Sequence, residues 1–223
     1  MERWTDLQAL VFDLDGTLYD SPELLAAYPR LAIEVVAERL GLSREQAEER
    51  FEAERQAIRR ARGVTPSTTQ TLLDLAGLNL DEWEGITAAR IDPATYLDPR
   101  DYVWLPPLLA RLHRFYRLGI VSNNNRVLTE RILRLLGIQD LFDAILTISE
   151  SRRIKPDPTL YLDIACLLGV EPAACLSIGD RLDIDIVPAQ QAGMRGVLIG
   201  GPRDLLPLGE ELIAAAGARE PAW

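Results

Sequence analysis

The sequence predicts an α/β protein in which a doubly wound parallel sheet carries an inserted all-helical segment. Three observations predict it. Residues 7–12 form a run that is apolar at all but one position and ends directly in Asp13-Leu14-Asp15-Gly16. Beyond about residue 100, strand-like apolar runs alternate with helical periodicity, the pattern of βαβ units. Between residues 20 and 99 no strand is needed. Residues 1–19 with 100–223 are therefore expected to form the α/β core, and residues 20–99 a helical insert.

Residues 7–12 read as a strand buried on both faces, as strands of parallel sheets are when helices cover both sides. Residues 18–22 form an exit turn in which Ser21 can cap a helix starting at Pro22. The pattern stays helical to about Arg62. Pro29 is expected to kink or divide the first helix, Gly41 to end it, and Ser43-Arg44-Glu45-Gln46 to form a capping box for the second, which stops at Gly63. A short helix over 69–75 closes at Gly77, and Asp81 can cap one more that runs to about residue 89. Residues 92–99, interrupted by Pro93 and Pro99, read as a linker. In the second part a helix over 106–116, a strand over 118–122, a helix over 127–136 and a strand over 142–147 follow in order. Then come a helix opened by Asp157-Pro158 and ended by Gly169, a strand over 174–178, a helix over 184–192, a strand over 196–199 and a short helix over 206–215.

Composition narrows the function. With 223 residues, 48% of them apolar, there is material for a core with an inserted smaller domain. The formal net charge of −10 disfavours nucleic-acid backbones and anionic membranes as partners. It leaves room for small phosphorylated ligands, since a metal and a few cations offset the local field. Cys166 and Cys175, the only two cysteines, match no metal or redox spacing and read as small core residues in a reducing compartment. Met1-Glu2-Arg3-Trp4 lacks the basic start and apolar run of a signal peptide. No apolar stretch reaches the ~18 residues of a membrane span. The expected location is cytoplasmic, and monomer and homodimer remain equally open.

Ligands of doubly wound sheets sit beyond the carboxyl ends of the strands. The polar residues that follow strands here are Asp13 and Asp15, Ser122 and Asn123, and Asp180 with Asp183 and Asp185. Lys155, the one lysine among 24 basic residues, falls in the loop after another strand. This set suits phosphoryl transfer. Magnesium takes hard oxygen ligands and leaves room for phosphate. An aspartate can act as nucleophile, a lysine presents a compact positive charge to phosphate oxygens, and a hydroxyl with backbone N–H groups can fix the rest.

Asp13-Leu14-Asp15-Gly16-Thr17 resembles the first motif of the haloacid dehalogenase-like (HAD) hydrolase superfamily. Ser122-Asn123 resembles its second, Lys155-Pro156 its third, and Gly179-Asp180 followed by Asp185 its fourth. The resemblance spans essentially the whole chain and implies a Rossmann-like core, with residues 20–99 as the helical C1-type cap of subfamily I. It further implies a Mg²⁺-dependent phosphatase acting on a small phosphorylated metabolite (a nucleoside monophosphate, phosphoglycolate or a sugar phosphate) through an aspartyl-phosphate. Asp13 would be the nucleophile and a metal ligand. Asp15 would be general acid and then base, with its carbonyl on the metal. Gly16 would belong to the phosphate-binding turn, Thr17 would orient the carboxylates, Ser122 and Asn123 would bind phosphate, and Lys155 would bridge phosphate and nucleophile. Asp180 would complete the metal site and Asp185 support it, through a water in one arrangement, while Asp183 is left as a helix N-terminal charge. A phosphosugar mutase resembling β-phosphoglucomutase, a haloacid dehalogenase and a non-catalytic binding protein are the alternatives. Asp15 argues against the dehalogenase, and the presence of both Asp13 and Lys155 against the non-catalytic protein.

Other conspicuous residues have plainer readings. Asn124 and Asn125 read as loop residues, either of which can add an N–H to the site. His113 lies among Leu109 and Leu112 and reads as a structural histidine. Arg55, Arg59 and Arg62 share a helix face and can meet a substrate anion, but Glu48, Glu49, Glu52 and Glu54 precede them, which favours a salt-bridged solvent face. Trp83 and Trp104 read as packing residues of the insert and its junction.

Overall fold

The computed structural model describes Trp4, residues 6–63 and residues 66–218, without the side chain of Arg62. Arg62 as a substrate contact, the amino-terminal Met1-Glu2-Arg3 and Trp223 thus lie outside the described residues. The chain separates into two compact units, Met1–Ser21 with Leu97–Trp223, and Pro22–Tyr96. Among the described residues no helix is long and apolar enough to cross a membrane.

The first strand, β1 (Ala9–Phe12), leads through a turn to the unit Pro22–Tyr96, which is helical throughout its described residues: α1 (Pro22–Leu40), α2 (Arg44–Arg62), α3 (Thr68–Ala76) and α4 (Leu80–Arg90). Pro29 does not divide α1. It removes one N–H, but Leu24, Ala27, Leu31, Ala32, Val35 and Val36 are buried on either side of it, and that burial keeps both halves helical. The expected capping box forms at α2, with Ser43 Oγ accepting from the Gln46 N–H at 3.3 Å and Gln46 Oε1 from the Ser43 N–H at 3.0 Å. The cap of α4 is Asn79 rather than Asp81. Its Oδ1 accepts from the Glu82 N–H at 2.9 Å, and Glu82 returns a bond to the Asn79 N–H at 3.0 Å. Asp81 falls in the first turn, where a carboxylate suits the helix dipole. Trp83 is buried and its Nε1 donates to Thr69 Oγ1 at 3.2 Å, joining α4 to α3. Arg55 lies 3.5 Å from Glu52, an exposed pair on a solvent face of the kind that contributes little to stability.

The other unit holds a five-stranded sheet with β2 (Arg117–Val121), β3 (Ala144–Leu146), β4 (Cys175–Gly179) and β5 (Arg195–Leu198). The order is β3-β2-β1-β4-β5, and every pairing is parallel. Between the strands come α5 (Leu105–His113), α6 (Arg126–Leu135), α7 (Ile148–Ser151), α8 (Thr159–Leu168) and α9 (Val187–Gln191), with α10 (Leu205–Gly217) last. The sheet is buried at its centre. Ala9, Val11, Val121 and Leu146 pack with Leu160, Tyr161, Ile164 and Leu168 of α8. Gly119 lets α8 pack close, because a Cβ would stand 3.0 Å from Leu168 and 3.1 Å from Ile164 and those side chains would have to shift.

Several expectations are corrected. The helix expected over 184–192 is a π-helical turn, Leu182–Ile186, followed by α9. Pro188 has no N–H for the Ile184 carbonyl, and the Val187 N–H reaches back five residues to Leu182. The helix α7 was not expected at all. It is four residues long, too short to show a period, and rests on the Thr147/Glu150 capping box. Cys166 is exposed rather than a core residue, whereas Cys175 is buried in β4. His113, by contrast, is structural as expected: its Nε2 lies 3.1 Å from Asp143 Oδ2, and Asp143 also accepts from the Leu118 N–H at 2.9 Å and Arg117 at 2.8 Å.

Candidate active site

Sheet order dictates where the polar residues meet. β1 lies between β2 and β4, with Phe12 level with Ile120 and with Ile178. The residue after β1 is Asp13, after β2 Ser122, and after β4 Asp180. Three adjacent strand ends thus deliver a carboxylate, a hydroxyl and a second carboxylate to one edge. Asp13 is fixed by its own N–H, which continues the ladder to the Ile178 carbonyl at 2.9 Å. Lys155 arrives from the loop beyond β3 and α7, next to a cis Lys155-Pro156 peptide. That loop is tied down by Asn123, whose Oδ1 accepts from the Lys155 N–H at 2.8 Å and whose Nδ2 donates to the Lys155 carbonyl at 3.4 Å.

The Lys155 side chain is 3% exposed, and its ammonium donates to Asp13 Oδ1 and, at 2.7 Å, to Asp185 Oδ1. A buried ammonium is costly unless paired. Burial alone would lower the Lys155 pKa, but Asp13 and Asp185 override it and hold the group above its usual range. Burial pushes Asp13 up to about 7; Lys155 opposes the rise, and Asp185 and Asp15 add to it. Asp180 is raised as well, by burial first and then by Asp185.

One carboxylate oxygen from each of Asp13, Asp180 and Asp185 lies within 4.8 Å of the others. Asp180 Oδ1 is buried and hydrogen-bonds to no described residue. Gly16 permits this approach. A Cβ there would stand 2.5 Å from Asp180 Oδ2, and its φ of +83° lies in the left-handed region that favours glycine. Three crowded carboxylates, one with an unpaired buried oxygen, leave negative charge that a single lysine does not neutralise. The donor set fits a hard divalent cation.

Asp15 stands beside this cluster with both oxygens engaged. Its Oδ1 accepts from the Tyr19 hydroxyl and its Oδ2 from Asn124 Nδ2 at 2.8 Å. Burial raises its pKa, and these two donors work in the opposite direction. Ser122 Oγ accepts from the Asn124 N–H at 3.1 Å, which leaves its own O–H to donate elsewhere.

The structure thus gathers Asp13, Lys155, Asp180 and Asp185, and seats Asp15, Gly16, Ser122 and Asn123 around them. It differs from the sequence reading in three places. Thr17 Oγ1 is buried and hydrogen-bonds to no described residue, so it makes no bond that orients the carboxylates. The Asn123 side chain is spent on the Lys155 backbone rather than directed at a ligand. Asp185 has a partner the sequence reading did not assign to it: its Oδ1 pairs with Lys155, placed there by the π-helical turn, and its Oδ2 accepts from the Arg181 N–H at 3.1 Å. Gly179 leaves room for it, since a Cβ would stand 2.7 Å from Asp185 Cγ. Sequence reasoning missed two residues. Tyr19 was read as part of a turn, and Asn124 only as a source of an N–H. The run of three asparagines after a strand was the available signal for the second. Asn125 is the cap of α6, accepting from the Leu128 N–H at 2.8 Å. Asp183 stays at the surface, 3.7 Å from Arg181.

Comparison with known proteins defines the class. Residues 7–193 match the family model of the haloacid dehalogenase-like hydrolases. The chain is 31% identical to a glyceraldehyde 3-phosphate phosphatase of Methanopyrus kandleri over 212 residues, 92% of this chain and 90% of that protein. It is 30% identical to a phosphoglycolate phosphatase of Aquifex aeolicus, over 86% of this chain and 84% of that one. The crystal structure of a HAD phosphatase from Thermococcus onnurineus superposes with a TM-score of 0.66 at 27% identity, covering 92% of this chain and 98% of that one. The chain belongs to the haloacid dehalogenase-like hydrolases, and it is a phosphatase-like enzyme of that family.

Proposed function

We propose that this protein is a Mg²⁺-dependent phosphomonoesterase acting on a small phosphorylated metabolite, with Asp13 as nucleophile and Asp15 as proton carrier. The observation that carries the reading is the buried cluster itself: one ammonium set between Asp13 and Asp185, with Asp180 alongside carrying an unpaired oxygen. Asp13, Asp180, Asp185 and the Asp15 carbonyl would hold the metal. When bound, Mg²⁺ supplies positive charge that offsets the carboxylates and the phosphoryl oxygens.

In the first half-reaction a carboxylate oxygen of Asp13 forms a bond to phosphorus as the bond to the leaving oxygen breaks. Asp15, protonated, gives its proton to that oxygen, and the alcohol departs. In the second, Asp15 takes a proton from water as the water oxygen bonds to phosphorus and the Asp13–phosphorus bond breaks. Phosphate leaves and Asp15 is protonated again. Lys155 and the Ser122 hydroxyl hold the phosphoryl oxygens, and Asn123 acts by fixing the loop that carries Lys155. A halide leaves as a stable anion and needs no acid, so the well-seated Asp15 favours ester cleavage over dehalogenation.

The relatives named for glyceraldehyde 3-phosphate and phosphoglycolate favour short-chain phosphates as substrates here. Cleavage in the cytoplasm, with residues 20–99 acting as a cap that selects the substrate, completes the reading. The test is phosphate release from glyceraldehyde 3-phosphate, phosphoglycolate, sugar phosphates and nucleoside monophosphates, with and without Mg²⁺. Turnover should require Mg²⁺ and fall by at least about 100-fold in Asp13→Asn. Turnover retained in that variant, or unaffected by chelation, would overturn the proposal.

A further inference from the structure

The Asp15 carboxyl is held more firmly than its neighbours require. Asn124, which brings its amide to Asp15 Oδ2 at 2.8 Å, is itself pinned at both ends of its backbone. Its N–H donates to Ser122 Oγ at 3.1 Å, and its carbonyl accepts from the Ile148 N–H at 3.3 Å, at the start of α7. An amide mounted this way has one orientation to offer, and the carboxyl it meets inherits that orientation. On the other oxygen the Tyr19 hydroxyl closes a second bond. Tyr19 is fully buried, and its carbonyl accepts from the Gly16 N–H at 2.7 Å, which closes the turn that carries Asp15. A half-buried aspartate in a turn could equally face water.

We propose that Asn124 and Tyr19 are positioning residues for Asp15. Asn124 fixes the plane of the carboxyl through Oδ2, which leaves Oδ1 as the oxygen that carries the proton. The Tyr19 hydroxyl holds that oxygen between turnovers, donating to it when Asp15 is ionised and accepting from it when Asp15 is protonated, and yields it to the leaving group. The inference rests on the reading of Asp15 as the proton carrier. It concerns orientation alone: a general acid helps only when its proton lies within hydrogen-bond reach of the atom that receives it.

An alkyl leaving group needs that proton, whereas p-nitrophenolate leaves readily without it. The experiment compares kcat/KM, which reports the step up to phosphoryl transfer, for p-nitrophenyl phosphate and for whichever alkyl phosphate the unmodified protein cleaves best. The proteins are unmodified, Asn124→Ala, Asn124→Leu, Tyr19→Phe and Asp15→Asn. In both Asn124 variants the alkyl phosphate should lose at least about tenfold and p-nitrophenyl phosphate less than about threefold, a split that a loss of fold or of metal does not produce. Tyr19→Phe keeps the buried ring and should give the same split, smaller. Equal losses on both substrates, or none on the alkyl phosphate, would overturn the positioning roles. If Asp15→Asn itself shows no such split, the role assigned to Asp15 fails, and with it the proposed mechanism, which is a separate outcome. p-Nitrophenyl phosphate turnover near the unmodified rate also certifies that each variant is folded.

Discussion

At the scale of single residues, the site is decided by what lies beside Asp13. Burial and two further carboxylates push it up to about 7, although Lys155 opposes them. Its folded pKa is thus raised above the ordinary 3.8. The favourable contribution of this group to metal-free folding is complete below about pH 4 and is lost as pH rises through about 7. A divalent cation requires the carboxylate, so its binding must displace that proton. Apparent Mg²⁺ affinity, measured by calorimetric titration, should rise by nearly tenfold per pH unit from about 5 to 7 and level off above. Affinity that is flat across this range would contradict the assignment. Gly16 offers an independent check. An added Cβ would meet Asp180 Oδ2 at 2.5 Å in a backbone with φ +83°. Gly16→Ala should therefore displace Asp180, raise the Mg²⁺ concentration needed for half-maximal activity and lower kcat/KM by about 100-fold. Unchanged Mg²⁺ dependence would detach Asp180 from the metal. Most of these residues were legible in the sequence, since each directly follows a strand or its loop. Tyr19 and Asn124 were not. The Asn124–Asp15 bond joins residues 109 positions apart and depends on where two loops cross, which no local pattern encodes.

At the scale of elements, the differences between expectation and structure come from proline and from caps. Pro29 sits inside α1, yet buried residues before and after it keep the helix whole. Pro188 shows the converse. With no N–H to give, it leaves the preceding turn wide, and that turn aims Asp185 at Lys155. A helix-breaking residue thus shapes the site from outside it. Strand and helix identities were readable from periodicity, while their ends shifted by one to three residues because ends are set by caps. Asp81 and Asn79 illustrate this. Both are good caps by type, and each has a glutamate three residues on, Glu82 for Asn79 and Glu84 for Asp81, so the sequence pattern does not separate them; the box closes at Asn79. Asn79→Ala should cost about 1 kcal/mol, read as a lower urea midpoint with unchanged slope. Asp81→Ala should cost less than half as much. The reverse ranking would mean that the cap lies where the sequence first suggested.

At the scale of the whole molecule, a parallel sheet with the order β3-β2-β1-β4-β5 makes the first strand central, and this single fact brings residues 13, 122, 155, 180 and 185 to one edge. The doubly wound fold was legible because strand and helix alternate after residue 100 and because parallel strands read as continuous apolar runs. The helical unit was legible as helices, but nothing in its sequence names a substrate. Its α2 carries a mixture of Arg and Glu, among which Arg55 pairs with Glu52, and this mixture names no ligand. The charge of −10 further restricts the partners to those whose anionic groups are met locally, at the lysine and a metal. The central claim is that phosphate passes through Asp13. The most direct measurement is rapid acid quenching of the enzyme during turnover with Mg²⁺, followed by mass spectrometry of its peptides. A phosphoryl adduct on the peptide that carries Asp13, absent without Mg²⁺ and absent in Asp13→Asn, is the result expected. Phosphate release with no adduct, or an adduct on any other residue, would contradict it.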